Sequence, residues 1–212
     1  MDLNLLIRGF VIGFSIAAPV GPIGVLCIRR TLADGRVYGL ASGLGAASAD
    51  GVYGLIAALG LTLVADFLRQ QQVWLGLIGG GYLLYLGVKT FRATPAETAA
   101  EVSERGAPPR GLIGAYASTL FLTLTNPLTI FAFAAIFAGV GAGVGGGGSG
   151  GALLVVAGVF AGSCAWWLIL VTFTGLFRAR LGPIGLRWIN RLSGIVIAGF
   201  GAAMLYGLIA PI

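Results

Sequence analysis

Six long apolar segments limit the structures that this chain can form. Each has roughly 20 or more mainly apolar residues, which is enough to cross a bilayer as a helix. They lie at about residues 4–28, 37–64, 73–91, 111–138, 152–177 and 192–210. Inside a bilayer the backbone amides and carbonyls have no water to bind, and a helix satisfies them within one segment. The sequence therefore predicts an all-α, polytopic membrane protein with six transmembrane helices.

The composition agrees with a membrane protein and excludes a soluble domain. Of the 212 residues, 58% are hydrophobic and 9% are charged, whereas soluble domains are about 25% charged. The 37 glycines suit helices whose backbones pack closely. The net charge of +6 does not indicate nucleic-acid binding, because the basic residues lie in short loops between apolar segments. The expected partner is the lipid bilayer, with no nucleic acid.

Prolines interrupt two of the apolar segments near their middle. The first segment contains Ala18-Pro19-Val20-Gly21-Pro22, and the fourth contains Thr125-Asn126-Pro127. Proline has no N–H, clashes with the preceding turn and disfavours helical backbone in the residue before it. The freed backbone groups must line a cavity or bind neighbouring helices. Broken helices in both halves of a chain indicate a transporter's substrate site, so we expect the first and fourth helices to be broken there.

The distribution of Lys and Arg orients the predicted helices. Eleven of the 13 basic residues fall in the first, third and fifth loops, the first of which is the segment 29–36. These residues are Arg29, Arg30, Arg36, Lys89, Arg92, Arg105, Arg110, Arg178, Arg180, Arg187 and Arg191. The positive-inside rule places those loops in the cytoplasm. Both termini and the glycine-rich tract 139–151 are then expected on the external side.

The order of the segments predicts one domain with an internal repeat. Three segments in residues 1–91 and three in residues 111–212 flank a hydrophilic linker at about 92–110. An odd number of helices per half gives the halves opposite orientations, as in the inverted repeats of many secondary transporters. We therefore predict a single transporter domain, 1–212, built as a 3+3 inverted repeat. The sequence leaves open whether the chain forms a homo-oligomer.

Asp50 is the one acidic residue well inside an apolar segment. A carboxylate there costs on the order of 2.5–3.5 kcal/mol, so a function is expected for it. On a helix, Gly43, Ala46 and Gly54 share its face, and these small residues leave room for a solute or for the unwound first helix. Asp50 can hold a substrate ammonium group or carry a coupling proton. The alternative is a structural carboxylate that caps freed amides or pairs with an arginine.

The proline breaks supply the other candidate site residues. Half-helices that begin after Pro22 and Pro127 would point their positive N-termini at a substrate carboxylate. Asn126 binds substrate or caps the broken helix, and Ser48 lines the cavity or bonds within its own helix. Tyr53 is expected to be a packing or interface residue. One acid and two helix ends make a receptor for a zwitterion.

The reactive side chains do not favour an enzyme or a metal site. The chain has no His and two Cys, and one buried acid cannot complete a nucleophile–base pair or a ligand set. We therefore expect no cofactor and no metal. A channel, an exporter of metal cations or other solutes on the same scaffold, and a non-transporting assembly or regulatory factor remain as alternatives.

These motifs and their order resemble the LysE/RhtB family of bacterial amino-acid exporters. The resemblance lies in the break from Ala18 to Pro22, in Gly43-Leu44-Gly45 followed by Asp50, and in Asn126-Pro127. The inserted Val20 departs from the family's usual Pro-Gly-Pro. By motif match, the resemblance gives transport roles to Pro19, Gly21, Pro22, Asp50, Asn126 and Pro127.

The resemblance covers essentially the whole chain and implies a function. It implies export of amino acids or related solutes from the cytoplasm, driven by the proton motive force, in the bacterial inner membrane. A dedicated lysine or arginine site would need a second carboxylate, and the apolar segments hold no second acid. We therefore expect neutral amino acids as substrates, although carbonyls at the broken helices can also hold a cation.

Overall fold

A computed structural model describes residues 3–58, 67, 70–93, 111–140, 148–178 and 182–209. Every secondary-structure element in this part of the chain is a helix, which confirms the all-α prediction. The eight helices described are α1 (Leu3–Ala17), α2 (Pro22–Ala33), α3 (Arg36–Ala58), α4 (Gln72–Phe91), α5 (Gly111–Leu124), α6 (Pro127–Val140), α7 (Gly148–Arg178) and α8 (Pro183–Ile209). Most of the predicted linker, 94–110, and the glycine-rich residues 141–147 lie outside the described residues.

The first and fourth predicted spans are each divided into two helices at their prolines. Helices α1 and α2 meet at 81°, and α5 meets the first part of α6 at 63°. Pro22 and Pro127 are the first residues of α2 and α6, a position where proline's missing N–H has no helical partner to lose. The prediction of a broken first and a broken fourth helix is confirmed.

Five elements in the described part of the chain are long and apolar enough to cross a bilayer. Helices α4, α7 and α8 qualify singly, and each bent pair qualifies when it is counted as one span. The other predicted span is α3, whose 23 described residues would extend about 35 Å. Residues 59–64 of that predicted span lie outside the described residues. The exact six-span repeat therefore stays a prediction.

The prediction of a first loop at residues 29–36 is wrong for most of that segment. Helix α2 continues through Ala33 and α3 begins at Arg36, so only Asp34 and Gly35 connect them. Gly35 has φ +110°, a left-handed conformation that favours glycine. The helix continues past Arg29 because the cations here bind other helices, as described below, and are not left to solvent. Similarly, α8 begins at Pro183, nine residues before the predicted start of the last span at 192.

Glycines allow α1 and α7 to pack with their backbones close together. Gly9 and Gly13 of α1 lie against the backbone of Val155 and Val159, while Gly158 and Gly162 of α7 lie against the backbone of Leu6 and Phe10. A Cβ at any of the four glycines would collide with a backbone atom of the other helix. Small residues four apart are typical of close helix pairs in membranes.

The helix directions agree with spans that cross the membrane in alternating directions along the chain. Helix α1 runs parallel to α7 and α5 runs parallel to α3, whereas α4 is antiparallel to α8 and α3 is antiparallel to α7. Helix α1, the first part of the broken span in the first half, packs on α7 in the second half. Helix α5, the first part of the broken span in the second half, packs on α3 in the first half. This exchange is what an inverted repeat would produce.

The outer faces of the bundle are apolar and its interior holds polar side chains. Leu168 and Phe173 on α7 and Ile195 on α8 are more than half exposed, a surface suited to lipid contact. Ser42, Thr119, Ser163 and Asn190 are fully or almost fully buried. Every buried side-chain nitrogen and oxygen in the described part of the chain has a hydrogen-bond partner, as an interior without water requires.

We expect Gly162→Ala to lower the melting temperature of the purified protein. The added Cβ would meet the Phe10 carbonyl and the Phe14 amide nitrogen, and overpacking of this kind costs roughly 1–3 kcal/mol. Gly81→Ala is the matched control, because no neighbouring atom lies within 4 Å of its added Cβ. That variant should leave the melting temperature unchanged or slightly higher. Equal destabilisation by both variants would contradict the close packing of α1 on α7.

Candidate functional site

The second break is held by Asn126 and by a tyrosine of α3. Helix α5 ends at Leu124, whose carbonyl accepts a hydrogen bond from the Tyr53 hydroxyl. The Asn126 N–H donates to the Thr123 carbonyl, and the Asn126 side-chain oxygen accepts from the Leu128 N–H, both at 3.2 Å. Asn126 therefore caps α6, as the structural alternative for this residue predicts.

The first break removes two backbone donors from the helix. In a continuous helix, the carbonyls of Ser15 and Ala18 would bond N–H groups at positions 19 and 22, which proline does not have. The chain turns at Gly21, whose N–H donates to the Pro19 carbonyl at 3.0 Å. Gly21 has an extended backbone, and an added Cβ would meet no atom within 4 Å, so nothing in this conformation requires glycine. Pro19 is exposed, whereas Pro22 is buried in the bundle.

Residues from both breaks line one small, mainly apolar cavity. Pro22 comes from the first break and Asn126 from the second, while α4 and α8 close the other sides. The remaining lining residues are Ile23, Gly79, Leu83, Leu122 and Met204. The cavity volume of about 10 Å³ is close to the space needed by one water molecule. The structure thus brings Pro22 and Asn126 together in a conformation too tight for an amino acid.

Asp50 lies on α3 in the interface with α7. It is 3% exposed, and its Oδ2 accepts a hydrogen bond from Ser163 Oγ at 2.7 Å. The same Ser163 oxygen accepts a hydrogen bond from Trp167 Nε1 at 3.1 Å. An arginine partner for Asp50, or capping of freed amides by its carboxyl group, is not seen among the described residues. Its one described partner is therefore a neutral hydroxyl group.

The small-residue face around Asp50 is filled by other helices. Gly43 lies against the Trp167 side chain and Gly54 against Val159. Ala46 belongs to a core cluster that includes Leu26 and Cys27 of α2. The expectation that this face leaves room for a solute is wrong in this conformation, because α2 and α7 pack on it. The alternative expectation is that the unwound part of the first helix packs there, but Leu26 and Cys27 belong to the helical part of that span.

Ser48 faces a different part of the bundle from Asp50. Its Oγ donates to the Leu44 carbonyl at 2.9 Å and accepts from the Tyr116 hydroxyl at 3.0 Å. Residues two positions apart in an α-helix point in directions that differ by roughly 200°, which explains why Ser48 meets α5 while Asp50 meets α7. These bonds fit helix packing, and a role for Ser48 in substrate binding stays a prediction.

Tyr53, which the sequence predicts to be a packing or interface residue, also joins the helix of Asp50 to the second break. It lies one turn beyond Asp50 on α3, is 4% exposed, and its ring packs 5.5 Å from that of Phe133 on α6. Its hydroxyl binds the last carbonyl of α5. The spacing of three residues from Asp50 was the available sequence signal, because such residues share a helix face.

Arg30 is a buried cation on α2, at a position where the sequence predicts a loop. It is 8% exposed and donates to Ser42 Oγ at 2.8 Å, the Ala115 carbonyl at 2.9 Å and Ser118 Oγ at 2.8 Å. These bonds join α2 to α3 and α5. The partners lie 12, 85 and 88 residues away along the chain, so no local sequence pattern could identify them.

We expect Tyr53→Phe to loosen the second break. The substitution leaves the Leu124 carbonyl without its hydroxyl donor, and an unpaired buried acceptor costs roughly 1–3 kcal/mol. Hydrogen exchange should become faster in the first turn of α6, and the melting temperature should fall. Tyr206→Phe is the matched control, because Tyr206 is 71% exposed on α8. A Tyr53→Phe variant as stable as this control would show that the hydroxyl does not support the break.

Comparison with known proteins gives the family of this chain. The family model for the LysE type translocator matches residues 14–208. A protein of Bacillus subtilis (strain 168), named "Putative amino acid efflux protein YcgF", is 29% identical over 202 residues, which cover 94% of each chain. No solved structure matches the chain. LysE family proteins are membrane transporters of small molecules and not enzymes. Since the family model covers most of its length, the chain belongs to the LysE type translocator family.

Proposed function

We propose that the protein exports amino acids from the cytoplasm across the bacterial inner membrane, in exchange for protons and by alternating access. Its family supports transport, and the name of the Bacillus subtilis relative supports an amino acid as substrate. The observation that carries the proposal is the meeting of two broken helices at one cavity. The proposed transport residues are Pro19, Gly21, Pro22, Ser48, Asp50, Asn126 and Pro127.

Asp50 is the proposed coupling residue because nothing described around it cancels its charge. A charge inside a membrane is costly unless it is neutralised, and a proton or a substrate ammonium group would each neutralise this carboxylate. Ser163 can donate to the ionised carboxylate or accept from the protonated acid, since a hydroxyl is both donor and acceptor. The hydrogen bond from Trp167 holds Ser163 in place for either state.

The tight cavity between the breaks fits a closed stage of the proposed cycle. Passage of an amino acid requires α2 and the α5–α6 break to separate, since Pro22 and Asn126 now line a space for about one water molecule. The short connections 18–21 and 125–126 are the natural hinges, because helical hydrogen bonding is already interrupted there. The close α1–α7 and α3–α5 pairs would move as units around them.

The proposed orientation predicts opposite labelling of two engineered cysteines. Ala100→Cys lies in the linker and Gly147→Cys in the glycine-rich tract, both outside the described residues. In a variant without Cys27 and Cys164, an impermeant thiol reagent added to intact cells should label position 147 and not position 100. Labelling at 100 but not at 147 would reverse the orientation and the argument for export.

We expect Asp50→Asn to abolish proton-coupled efflux while the protein still folds. The amide is nearly isosteric and removes a buried charge, so the free energy of unfolding should hold or rise. The measurement is efflux from proteoliposomes, driven by a pH gradient and run with a panel of amino acids. Efflux by the variant should fall to the level of protein-free liposomes.

Ser163→Ala is the matched control for the Asp50 experiment. It removes the hydrogen bond to Asp50 but keeps the acid, so efflux should be reduced and not lost. Yield and melting temperature are measured for both variants. Normal efflux by Asp50→Asn, or a loss of efflux explained entirely by unfolded protein, would remove Asp50 from the mechanism. Absence of efflux for every amino acid by the unmodified protein would overturn the proposed function.

A further inference from the structure

A second and larger cavity opens at the end of the bundle that is predicted to face the cytoplasm. Its volume is about 320 Å³, within the range of small-molecule sites. It lies among α2, α3, α4 and α5, and its polar lining consists of Arg29, Arg30, Asp34, Tyr38, Lys89 and Thr90. This cavity is large enough for an amino acid, whereas the cavity between the breaks is not.

The charged residues of this lining are three cations and one carboxylate. Arg29 is paired with Asp34 at 2.9 Å, and its Nε donates to Asn190 at 3.0 Å. Asn190 in turn donates to the Ala93 carbonyl at 3.2 Å. The Arg29–Asp34 pair is therefore fixed against α8 through Asn190, which also binds the chain just after α4, and the two charges cancel. Arg30 and Lys89 account for the remaining positive charge.

Arg30 has hydrogen-bond partners but makes no direct ion pair in the described part of the chain, and the nearby carboxylate of Asp34 is paired with Arg29. All three of its bonds go to neutral oxygens, and the ion pair seen among these residues is that of Arg29. A buried charge without a direct ion-pair partner is costly, so an anion bound to Arg30 in the adjacent cavity would lower the free energy. Lys89 is exposed, and its ammonium group lies 5.9 Å from the centre of the Tyr85 ring. It supplies a second cation at the cavity.

We propose that this cavity receives the substrate and that Arg30 and Lys89 bind its carboxylate group. The inference rests on the proposed function, because the orientation makes this end cytoplasmic. Arg30 already ties α2, from the first broken span, to α5, from the second. A carboxylate bound there would therefore contact a side chain that joins both broken spans. The neutral lining from α4 and α5, including Leu86 and Gly114, leaves space for the rest of the molecule.

Equilibrium binding to the full chain in phosphatidylcholine nanodiscs tests the proposal. The probes are L-alanine, L-threonine and L-leucine, their N-acetyl derivatives, which keep the carboxylate, and their amides, which keep the ammonium group. At least one free amino acid and its N-acetyl derivative should bind and compete with each other, and the amide should not. Equal binding of the amide, or no binding by any carboxylate probe, would overturn the proposal.

Substitutions locate the binding within the cavity. Lys89→Gln should weaken carboxylate binding about 2- to 5-fold, as expected for an exposed ion pair. Arg30→Lys keeps the charge but loses the planar fork, and it should weaken binding about 10- to 100-fold. Since Arg30 variants can also damage folding, Lys89→Gln decides the question if they do. Arg187→Gln is the matched control, because this exposed cation of α8 lies at the same predicted end but not in the cavity lining. An unchanged affinity in Lys89→Gln, or an equal loss in Arg187→Gln, would overturn the assignment.

The phosphate group of an anionic lipid could meet the same cations, so nanodiscs containing phosphatidylglycerol form a second arm. Carboxylate binding that persists there supports the substrate site. Stabilisation by the lipid that Lys89→Gln removes, without any carboxylate binding, would overturn it.

Failure of the proposed cavity and failure of the proposed function give different results. Efflux without carboxylate recognition overturns only the cavity assignment, whereas Lys89-dependent carboxylate binding without any amino-acid efflux supports the cavity and overturns only the proposed function.

Discussion

Backbone groups freed by proline need partners in a region without water, and the architecture follows from how they are supplied. At the second break, Tyr53 binds the last carbonyl of α5 and Asn126 caps α6. This fixes α3 against the α5–α6 break. The same helix carries Asp50 to the face of α7, where Ser163 binds it. A requirement for backbone hydrogen bonds therefore places the buried acid one helical turn from Tyr53, the residue that binds the second break, and Asp50 does not line the cavity between the two breaks.

The sequence predicts the helices well because the length of apolar runs and the position of prolines act locally. The breaks at Pro22 and Pro127 follow from the missing N–H and needed no tertiary information. The end of α2 could not be predicted from the sequence. The helix continues past Arg29 because Arg30 binds side chains on α3 and α5, which are distant in sequence. The same limit applies to the site. Asp50 stands out as an acid in an apolar segment, but its partner lies 113 residues away.

Arg30 is a cation and Asp50 an acid, and in the described part of the chain both are held by hydrogen bonds to neutral groups. Ser42 and Ser118 bind Arg30, and Ser163 binds Asp50. Such bonds fix the geometry of a buried charge but do not cancel the charge. An ion pair between Arg30 and Asp50 would fix the geometry and also cancel both charges. For a structural protein this arrangement is unfavourable. For a transporter it leaves Arg30 able to pair with the carboxylate of a zwitterion, and Asp50 able to take up an ammonium group or a proton.

Under the proposed orientation, the sizes of the two cavities indicate that this conformation is open toward the cytoplasm and closed at the breaks. The larger cavity touches Arg30 at the predicted cytoplasmic end, while the space between Pro22 and Asn126 holds about one water molecule. A substrate could therefore reach Arg30 without rearrangement but could not pass the breaks. Helix α2 contributes to both cavities, through Pro22 at its start and Arg30 near its end. A rotation of α2 about the 18–21 connection would therefore change both cavities together, which is the coupling that alternating access requires.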